Sequence, residues 1–510
     1  MRFTRKFLIA VIFMVACGNL QSQTNSNTDR PRTLLVFFDG LRPDYIMPEL
    51  MPNLYAFKQT AAYGKKHHSV FPTVTRVNAA SYATGSYPAT HGLMANSVYF
   101  PAVNPVAGLS TGDAQNLKNI DNAEKGKLLL TPSIGEILAG AGEKMAVFSS
   151  GSTGQAFLQN HTVSGGFIIN PDMILPAAFK EDVVAALGQP PAGQDDNSAR
   201  HVWVTDALLH YGINKNGPLV CAIWYSDPDG AAHEHGIGSP EAIRSLKVVD
   251  EQFGRIIAFL DQQKTRDAYN IIISADHGFV THVGKQGLAS FLIAEHLKKD
   301  KASDDVVVAD GAIYVKDHDQ DMIKKIVTAL QQEEWASAIF TRGAKPGNMK
   351  GAIPGTFSFE SIHWNNSRRA GDILVDVNWN DNKNDKGYPG TSFAGGVAGH
   401  GSISPYEIHI ALMASGPSFK KHYESNIPTS NIDIVPTILH IYKLPQPATM
   451  EGRVMNELLA GNNRPLPKVS IQTITSETKK DGIIYKLSLQ RSAVGNHYYV
   501  DFCKTVRVKY

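Results

Sequence analysis

Short apolar runs alternate with amphipathic stretches along this chain. The runs at residues 34–38, 145–148 and 271–273 are apolar at every position, which is typical of strands that are buried on both faces of a sheet. Residues 51–62 and 240–260 instead carry apolar side chains at helical spacing. Strands that alternate with helices predict an α/β fold, in which a doubly wound, mostly parallel central sheet has helices on both faces.

Three regions depart from this alternation. Residues 101–127 lack periodicity, and residues 364–399 show one strand, at 372–377, among Asn, Asp and Gly, so both regions are predicted as inserts or lids. One large domain over residues 30–465 is expected to contain them. Residues 466–510 are predicted to form a small C-terminal antiparallel β appendage, with strands at 471–475, 483–489 and 498–508.

The first residues predict export from the cytoplasm. Arg2, Arg5 and Lys6 precede an apolar run that is too short to span a bilayer, which indicates a signal peptide over residues 1–23. The four residues that end at Cys17 loosely resemble a bacterial lipobox, so that one alternative is a lipoprotein with Cys17 lipidated. The other alternative is cleavage further along the chain. Both place the protein in the periplasm or, as a lipoprotein, at the outer membrane or cell surface.

Composition adds few constraints. The 510 residues are 43% hydrophobic and 19% charged, which is ordinary for a globular protein. A net charge of +2, with no long basic run, gives no reason to expect a nucleic-acid-binding surface. Contact with a membrane is expected only through the possible lipid anchor.

Two cysteines lie outside the predicted leader. Cys221 and Cys503 could form one disulfide in an exported protein. They could equally remain two separate thiols, with Cys221 packed inside its strand. The spacing leaves both alternatives open.

Acidic and imidazole side chains follow the apolar runs at the points where the predicted strands end. Because ligands of open α/β sheets bind at the carboxyl edge of the strands, these side chains are candidates for a site. Their oxygen and nitrogen atoms could hold two divalent cations. Taken singly they are weak signals, since Asp39 could cap a turn and the nearby Asp227 and His235 cannot be rejected by spacing. The candidate ligands are Asp39, Asp229, His233, Asp276, His277 and His400.

A possible nucleophile follows the first strand and helix. Thr75 ends the segment Phe71-Pro72-Thr73-Val74-Thr75 and is predicted to begin the next helix. A metal-bound hydroxyl loses its proton more readily than a free one, and the positive end of a helix favours bound phosphate. The alternative is that Thr75 only caps this helix.

Together these motifs resemble those of the nucleotide pyrophosphatase/phosphodiesterases in the alkaline phosphatase superfamily. The resemblance extends from about residue 34 to residue 459. Its motifs in this chain are Phe71-Pro72-Thr73-Val74-Thr75, Thr84-Gly85, Pro88 to Gly92, Pro228-Asp229 with His233 and Gly236, Ser274-Ala275-Asp276-His277-Gly278, and Gly399-His400-Gly401.

The resemblance implies an alkaline phosphatase-like fold and two zinc ions. One zinc is expected on Asp39, Thr75, Asp276 and His277, and the other on Asp229, His233 and His400. In this family pattern Asn96, rather than Asn78, helps to hold a phosphoryl oxygen. The expected reaction is hydrolysis of a phosphate diester through a covalent phosphothreonine.

Departures from the family pattern bear on the substrate. Arg76 follows the nucleophile where the family often has an aromatic residue, and residues 148–155 contain neither Lys nor Arg. Monoesterase relatives use such cations to bind the phosphate dianion, so their absence favours a diester. Arg76 could replace them if it points inward, or it could face solvent or a structural carboxylate.

Several functions therefore remain. The expected substrate is a small-molecule, lipid or glycan phosphodiester whose leaving group the sequence does not identify. A phosphomonoesterase or phosphonate hydrolase would use the same metals. A non-catalytic binding protein on this scaffold is the alternative from a different class.

Overall fold

The strand Arg32–Phe38, which is buried from its second residue onward, lies at the centre of the largest sheet. The computed structural model describes residues 30–193 and 196–510. Successive side chains of this strand enter two different hydrophobic clusters on opposite faces, which explains why the run is apolar at every position. It pairs in parallel with Val220–Tyr225 on one side and Tyr269–Ser274 on the other.

The nine strands of this sheet confirm the predicted fold class. The five central strands run parallel, and antiparallel partners join them on both sides. In spatial order the strands are Tyr423–Ser425, Ala62–Gly64, Leu412–Ser415, Tyr269–Ser274, Arg32–Phe38, Val220–Tyr225, Met145–Ser149, Phe167–Asn170 and Met173–Leu175.

Helices cover both faces of the sheet, as the doubly wound fold requires. One face is covered by Pro52–Thr60, Ser198–Ala207 and Pro240–Gln262. The other is covered by Thr75–Thr84, Ile134–Gly140, Thr153–Gln159 and Ile434–Tyr442. The remaining α-helices are Pro88–His91, Ala114–Ala123, Lys180–Leu187, Asp229–His235, Leu288–Ala294, Gln320–Gln332 and Pro405–Ile408.

Four smaller sheets complete the part of the domain before the C-terminal strands. The largest of these has five strands, in the order Val306–Ala309, Ala312–Val315, Ile373–Val377, Ala336–Thr341 and Phe357–Ser358. A four-stranded sheet consists of Trp379–Lys383, Pro389–Ser392, Val280–His282 and Ala398–Gly399. A three-stranded sheet consists of His409–Ile410, His67–His68 and Thr429–Ser430, and a two-stranded sheet pairs Ser97–Val98 with Leu109–Ser110.

Both predicted inserts contain more regular structure than expected. The region 101–127 includes the helix Ala114–Ala123, whose Leu117 and Ile120 are buried. Because these are its only two large apolar side chains, the sequence pattern does not predict it. The region 364–399 contains four strands instead of one. Three of them contain Asn or Gly and few apolar residues, and they form by pairing with one another and with Val280–His282.

The C-terminal strands form an antiparallel sheet, as predicted, and are longer than the sequence suggested. They are Val469–Lys480, Ile483–Val494 and His497–Lys509. Tyr485, Leu487 and Leu489 belong to the main hydrophobic cluster, and Trp379 Nε1 donates to the Cys503 carbonyl at 2.9 Å. The sheet is therefore packed into the rest of the fold.

The predicted signal peptide, residues 1–23 with Cys17, lies outside the described residues. Within the described helices, none combines the length and apolar character needed to cross a membrane. Export and lipidation thus stay predictions.

The two cysteines are separate thiols. Cys221 and Cys503 are both free and buried, one in the central sheet and the other in the C-terminal sheet. Burial raises the pKa of both thiols, that of Cys221 to about 12. Of the two alternatives that the spacing left open, the structure shows the unpaired one.

A thiol titration tests this arrangement. We expect a Cys17→Ser chain, never exposed to reductant, to show no fast-reacting thiol when folded, because both sulfurs are buried and protonated. After unfolding, Ellman's reagent should count two thiols per chain. A count that reaches two only after reduction would show a disulfide instead.

Candidate active site

The carboxyl ends of the three central strands bring the predicted acids together. Asp39 follows Arg32–Phe38, and Asp276 follows Tyr269–Ser274 after one residue. The Gly40 amide donates to Asp276 Oδ1 at 3.1 Å, and the Asp229 amide donates to the Asp39 carbonyl at 3.0 Å. Because the strands are parallel neighbours, their polar ends meet at one edge of the sheet.

One group of possible ligands is centred on Asp229. The helix Asp229–His235 places His233 one turn after Asp229, with His233 Nε2 3.3 Å from Asp229 Oδ1. His400 Nε2 also lies 3.3 Å from that oxygen. One helical turn therefore brings Asp229 and His233 together, and the glycine-flanked His400 joins them.

A second group adjoins the first. His277 Nε2 lies 3.4 Å from Asp39 Oδ1 and 3.0 Å from Asp276 Oδ2. Thr75 Oγ1 lies 3.2 Å from the same nitrogen. Ligand atoms of Asp39, Asp229 and His277 lie within 4.8 Å of one another, as do those of Asp229, His233 and His400. The structure thus brings all seven predicted ligands into one cluster.

The three histidines present lone pairs to this cluster. The Nδ1 atom of each faces a backbone carbonyl. His233 Nδ1 lies 3.0 Å from the Ala398 carbonyl, and His400 Nδ1 lies 2.8 Å from the Thr73 carbonyl. His277 Nδ1 lies 3.0 Å from the Gly278 carbonyl. A carbonyl can only accept, so Nδ1 must carry the proton. In the neutral form of each ring Nε2 is then an acceptor, which is the state of a metal-binding imidazole.

Three carboxylate oxygens face these nitrogens without a donor. Asp39 Oδ1, Asp229 Oδ1 and Asp276 Oδ2 are buried and have no hydrogen-bond partner among residues 30–193 and 196–510. Ligands bound to a tetrahedral zinc at its usual bond lengths would lie about 3.3 Å apart, close to the 3.0–3.4 Å separations found here. The donor set therefore fits divalent cations, and zinc in particular.

The pKa values of these side chains reflect how closely the acidic and imidazole groups are packed. Burial, reinforced by the charges of Asp276 and Asp229, raises the pKa of Asp39 well above its usual range. Burial opposes ionisation of Asp229, but His233 and His400 outweigh it and lower its pKa. Burial, and then the charge of His277, lowers the pKa of His400 to about 4. A bound cation would remove the need for shared protons.

Thr75 begins the helix Thr75–Thr84 as predicted. The N-cap is Val74, and no side chain caps this helix. The Thr75 hydroxyl is directed to His277, so the alternative of simple capping does not hold. Its position at the first helical residue places it where backbone amides favour an anion.

The two asparagines differ in the way the family pattern implies. Asn96 Oδ1 accepts from the Arg76 amide at 3.1 Å, next to Thr75 in the chain, and Asn96 lines the cavity. Asn78 bonds through its side chain to both backbone groups of Val70. Only Asn96 is thus placed to reach a substrate.

The residues that spacing alone could not reject have other partners. Asp227 Oδ2 lies 2.7 Å from His201 Nε2 in a buried pair. His235 lies 3.7 Å from Glu234 at the surface. Neither approaches the cluster of ligands.

Trp224 is a site residue that sequence reasoning missed. It lies in Val220–Tyr225 and its Nε1 donates to Asp39 Oδ2 at 3.0 Å, while its ring stacks on Phe37. In the sequence it is one apolar residue in an apolar strand, and nothing marks its hydrogen bond. It holds Asp39 so that Oδ1 faces the histidines.

A cavity of about 520 Å³ opens over the cluster. Phe71, Leu374 and Val375 form part of its apolar wall, and Arg76 and Asn96 are among its polar lining residues. The Arg76 side chain is half-buried, and its buried Nε has no partner in the described part of the chain. Residues 148–155 do not line it.

Comparison with known proteins identifies the family of this chain. The family model of type I phosphodiesterase / nucleotide pyrophosphatase matches residues 33–388. The chain belongs to this family. The predicted family is thereby confirmed.

Individual relatives of this family member are distant. The bis(5'-adenosyl)-triphosphatase enpp4 of Mus musculus is 26% identical over 445 residues, which cover 87% of this chain and 84% of the relative. Its Xenopus laevis counterpart is 25% identical over 288 residues, 54% of this chain and 53% of that protein. The chain thus spans about half of the length of the Xenopus laevis relative. It covers 26% of the length of ectonucleotide pyrophosphatase/phosphodiesterase family member 3 of Rattus norvegicus.

Solved structures show the same fold. An inactive threonine-to-alanine variant of murine ectonucleotide pyrophosphatase/phosphodiesterase 5, in complex with AMP, covers 84% of this chain with a TM-score of 0.62 and 18% identity, and all of that chain is matched. The wild-type alkaline phosphatase PafA covers 84% with a TM-score of 0.64 and 17% identity, over 99% of its own chain. The alkaline phosphatase-like architecture is confirmed.

The role of Trp224 can be tested through metal affinity. We expect Trp224→Phe to weaken zinc binding by about tenfold or more, because loss of a residue that orients a ligand typically has this effect. A chelator competition titration measures it. Tyr225→Phe is the matched control, since it removes a hydroxyl bonded to Thr205 from the same strand. Equal affinities for the two variants would contradict the role.

Proposed function

We propose that this protein is a two-zinc phosphodiesterase that hydrolyses a phosphate diester through a covalent phosphothreonine on Thr75. One observation carries the proposal: three buried carboxylate oxygens without donors face three imidazole acceptors around one hydroxyl. Like-charged acceptors at such distances are stable together only with cations between them. None of the seven predicted ligands is missing, which argues against a non-catalytic binding protein.

The residues divide between two metals. Asp39, Thr75, Asp276 and His277 would hold one zinc, and Asp229, His233 and His400 the other. Bound zinc would favour the alkoxide form of a hydroxyl and stabilise charge on a departing oxygen.

The protein's own groups then position the reaction. Thr75 Oγ, deprotonated, attacks phosphorus in line with the leaving oxygen, and the phosphorus–oxygen bond to the alcohol breaks as the new ester forms. Since Asn96 Oδ1 is engaged by the Arg76 amide, its Nδ2 is free to donate to a phosphoryl oxygen. Water then cleaves the phosphothreonine from the opposite side and restores Thr75.

Similar proteins support the substrate class. The mouse relative is named a bis(5'-adenosyl)-triphosphatase, and the murine neighbour holds AMP in a variant whose threonine is replaced by alanine. We propose small phosphodiesters or phosphoanhydride-linked nucleotides as substrates of this chain, with lipid or glycan phosphodiesters as the alternatives. We also propose that the enzyme acts outside the cytoplasm, on the strength of the predicted leader.

Arg76 favours a second candidate function, hydrolysis of phosphate monoesters. Its side chain lines the cavity beside Asn96 and makes no ion pair within the described chain. Burial raises the pKa of Asp310, and the positive charge of the nearby Arg76 acts to lower it. A guanidinium here could bind the additional charge of a monoester, or of a second phosphate in an anhydride.

The nucleophile is tested by Thr75→Ala. We expect zinc content to remain, because six other ligands persist, while turnover of bis-p-nitrophenyl phosphate falls by about 10³-fold or more. Thr84→Ala is the matched control, since the Thr84 hydroxyl bonds to the Ala80 carbonyl in the same helix. It should stay within a few-fold of wild type. Full turnover by the Thr75 variant would exclude the proposed intermediate.

The role of Arg76 is tested by comparing two esters. Arg76→Met should raise KM for p-nitrophenyl phosphate by about 10- to 100-fold, the value of a charged hydrogen bond, and change KM for the diester far less. Arg244→Met alters an exposed arginine and serves as control. An equal effect on both esters, or none, would leave Arg76 without this role.

A further inference from the structure

A second cluster of metal-ligating side chains lies where the C-terminal sheet meets the catalytic domain. His68, His409 and Asp501 offer ligand atoms that are all within 4.8 Å of one another. They come from the strands His67–His68, His409–Ile410 and His497–Lys509. His68 and His409 are directly opposed in an antiparallel pair, so their side chains lie on the same face.

Hydrogen bonding fixes the protonation of His68 in the same way as in the active site. His68 Nδ1 lies 2.8 Å from the Thr429 carbonyl, which can only accept, so Nδ1 carries the proton. His68 Nε2 then presents a lone pair to Asp501 Oδ1 at 2.9 Å. Two acceptors this close require a cation between them, either a second proton or a metal. The separation resembles the 3.0 Å between His277 and Asp276.

His409 distinguishes these two possibilities. Its ring centroid lies 4.9 Å from that of His68, and no hydrogen bond to its ring is found within the described residues. A proton would satisfy only His68 and Asp501, whereas a metal would engage all three side chains.

The surroundings hold these ligands in place. The Ser492 hydroxyl lies 2.9 and 3.0 Å from the two carboxylate oxygens of Asp501, and Gln490 Nε2 donates to one of them at 3.1 Å. The Tyr499 ring stacks on His68 with centroids 5.6 Å apart. Partners that orient ligands in this way are a regular feature of metal sites.

We propose that His68, His409 and Asp501 bind a third divalent cation, separate from the active-site pair. Two imidazoles and one carboxylate are a donor set that suits zinc. The ion would link the C-terminal sheet to the strand His67–His68. His68 precedes Thr75 by seven residues. Its function would be structural, because the three side chains do not line the cavity over the candidate active site.

Metal counting tests the proposal in a full-length chain without a histidine tag. After equilibrium dialysis against dilute zinc, we expect wild type to hold one more zinc per chain than His409→Gln, by mass spectrometry of the metal. Hydrolysis of the diester should remain within about twofold, because His409 is outside the active site. His422→Gln, at an exposed histidine, should keep the wild-type count. The test uses only the difference in zinc content between wild type and His409→Gln, so it does not depend on how many ions the active site holds.

A second measurement does not depend on the loss of a ligand. His409→Cys places a thiolate where the imidazole was, and cobalt should then produce a thiolate-to-metal charge-transfer band in the near ultraviolet that wild type lacks. Equal zinc counts for wild type and His409→Gln would overturn the proposal in favour of a protonated His68–Asp501 pair. Absence of the cobalt band in folded His409→Cys would overturn it as well.

Discussion

The arrangement of three carboxylates at the end of a buried parallel sheet is the constraint on which the rest of this structure depends. Asp39, Asp229 and Asp276 each keep one buried oxygen without a donor, although buried acceptors are normally satisfied. The fold maintains this costly arrangement through fixed partners: Trp224 and the Gly40 amide hold two of the acids, and three backbone carbonyls orient the histidines. Cations are the remaining component that would make this arrangement favourable.

The topology explains why such distant parts of the sequence meet. Asp39, Asp229 and Asp276 are separated by up to 237 positions in the numbering, yet their strands are immediate neighbours and run in the same direction. Thr75 comes from the start of the helix Thr75–Thr84, which follows the first strand and the helix Pro52–Thr60. His400 comes from the late, glycine-rich strand region that also supplies the Ala398 carbonyl to His233. One sheet edge therefore brings the three acids together, and two helices and a glycine-rich segment complete the site around them.

Much of this was predictable because the signals were local. The central strand is buried on both faces, so it reads as a continuous apolar run, and the helix Pro240–Gln262 shows an uninterrupted stripe. The motifs fixed which acids and histidines to expect. By contrast, the polar strands Trp379–Lys383 and Pro389–Ser392 form only through pairing with other strands, and no local pattern announces that.

Other features depend on contacts that a sequence does not show. Asp227 and Asp229 are two residues apart, and only the position of His201 reveals that the first is engaged elsewhere. The hydrogen bond from Trp224 to Asp39 joins two strands across the sheet. His68 and His409 are 341 positions apart in the numbering, and they become neighbours only when their short strands pair. The features that the sequence did not predict are therefore those that depend on contacts between residues far apart in the chain.

Two cations at this sheet edge would be seen directly by anomalous X-ray diffraction at the zinc absorption edge, on crystals of the zinc-loaded protein. We expect two strong peaks about 4 Å apart, one beside Asp39, Asp276 and His277 and the other beside Asp229, His233 and His400. Active crystals with no anomalous density between these side chains, and with donors bonded to the three carboxylates instead, would contradict this expectation.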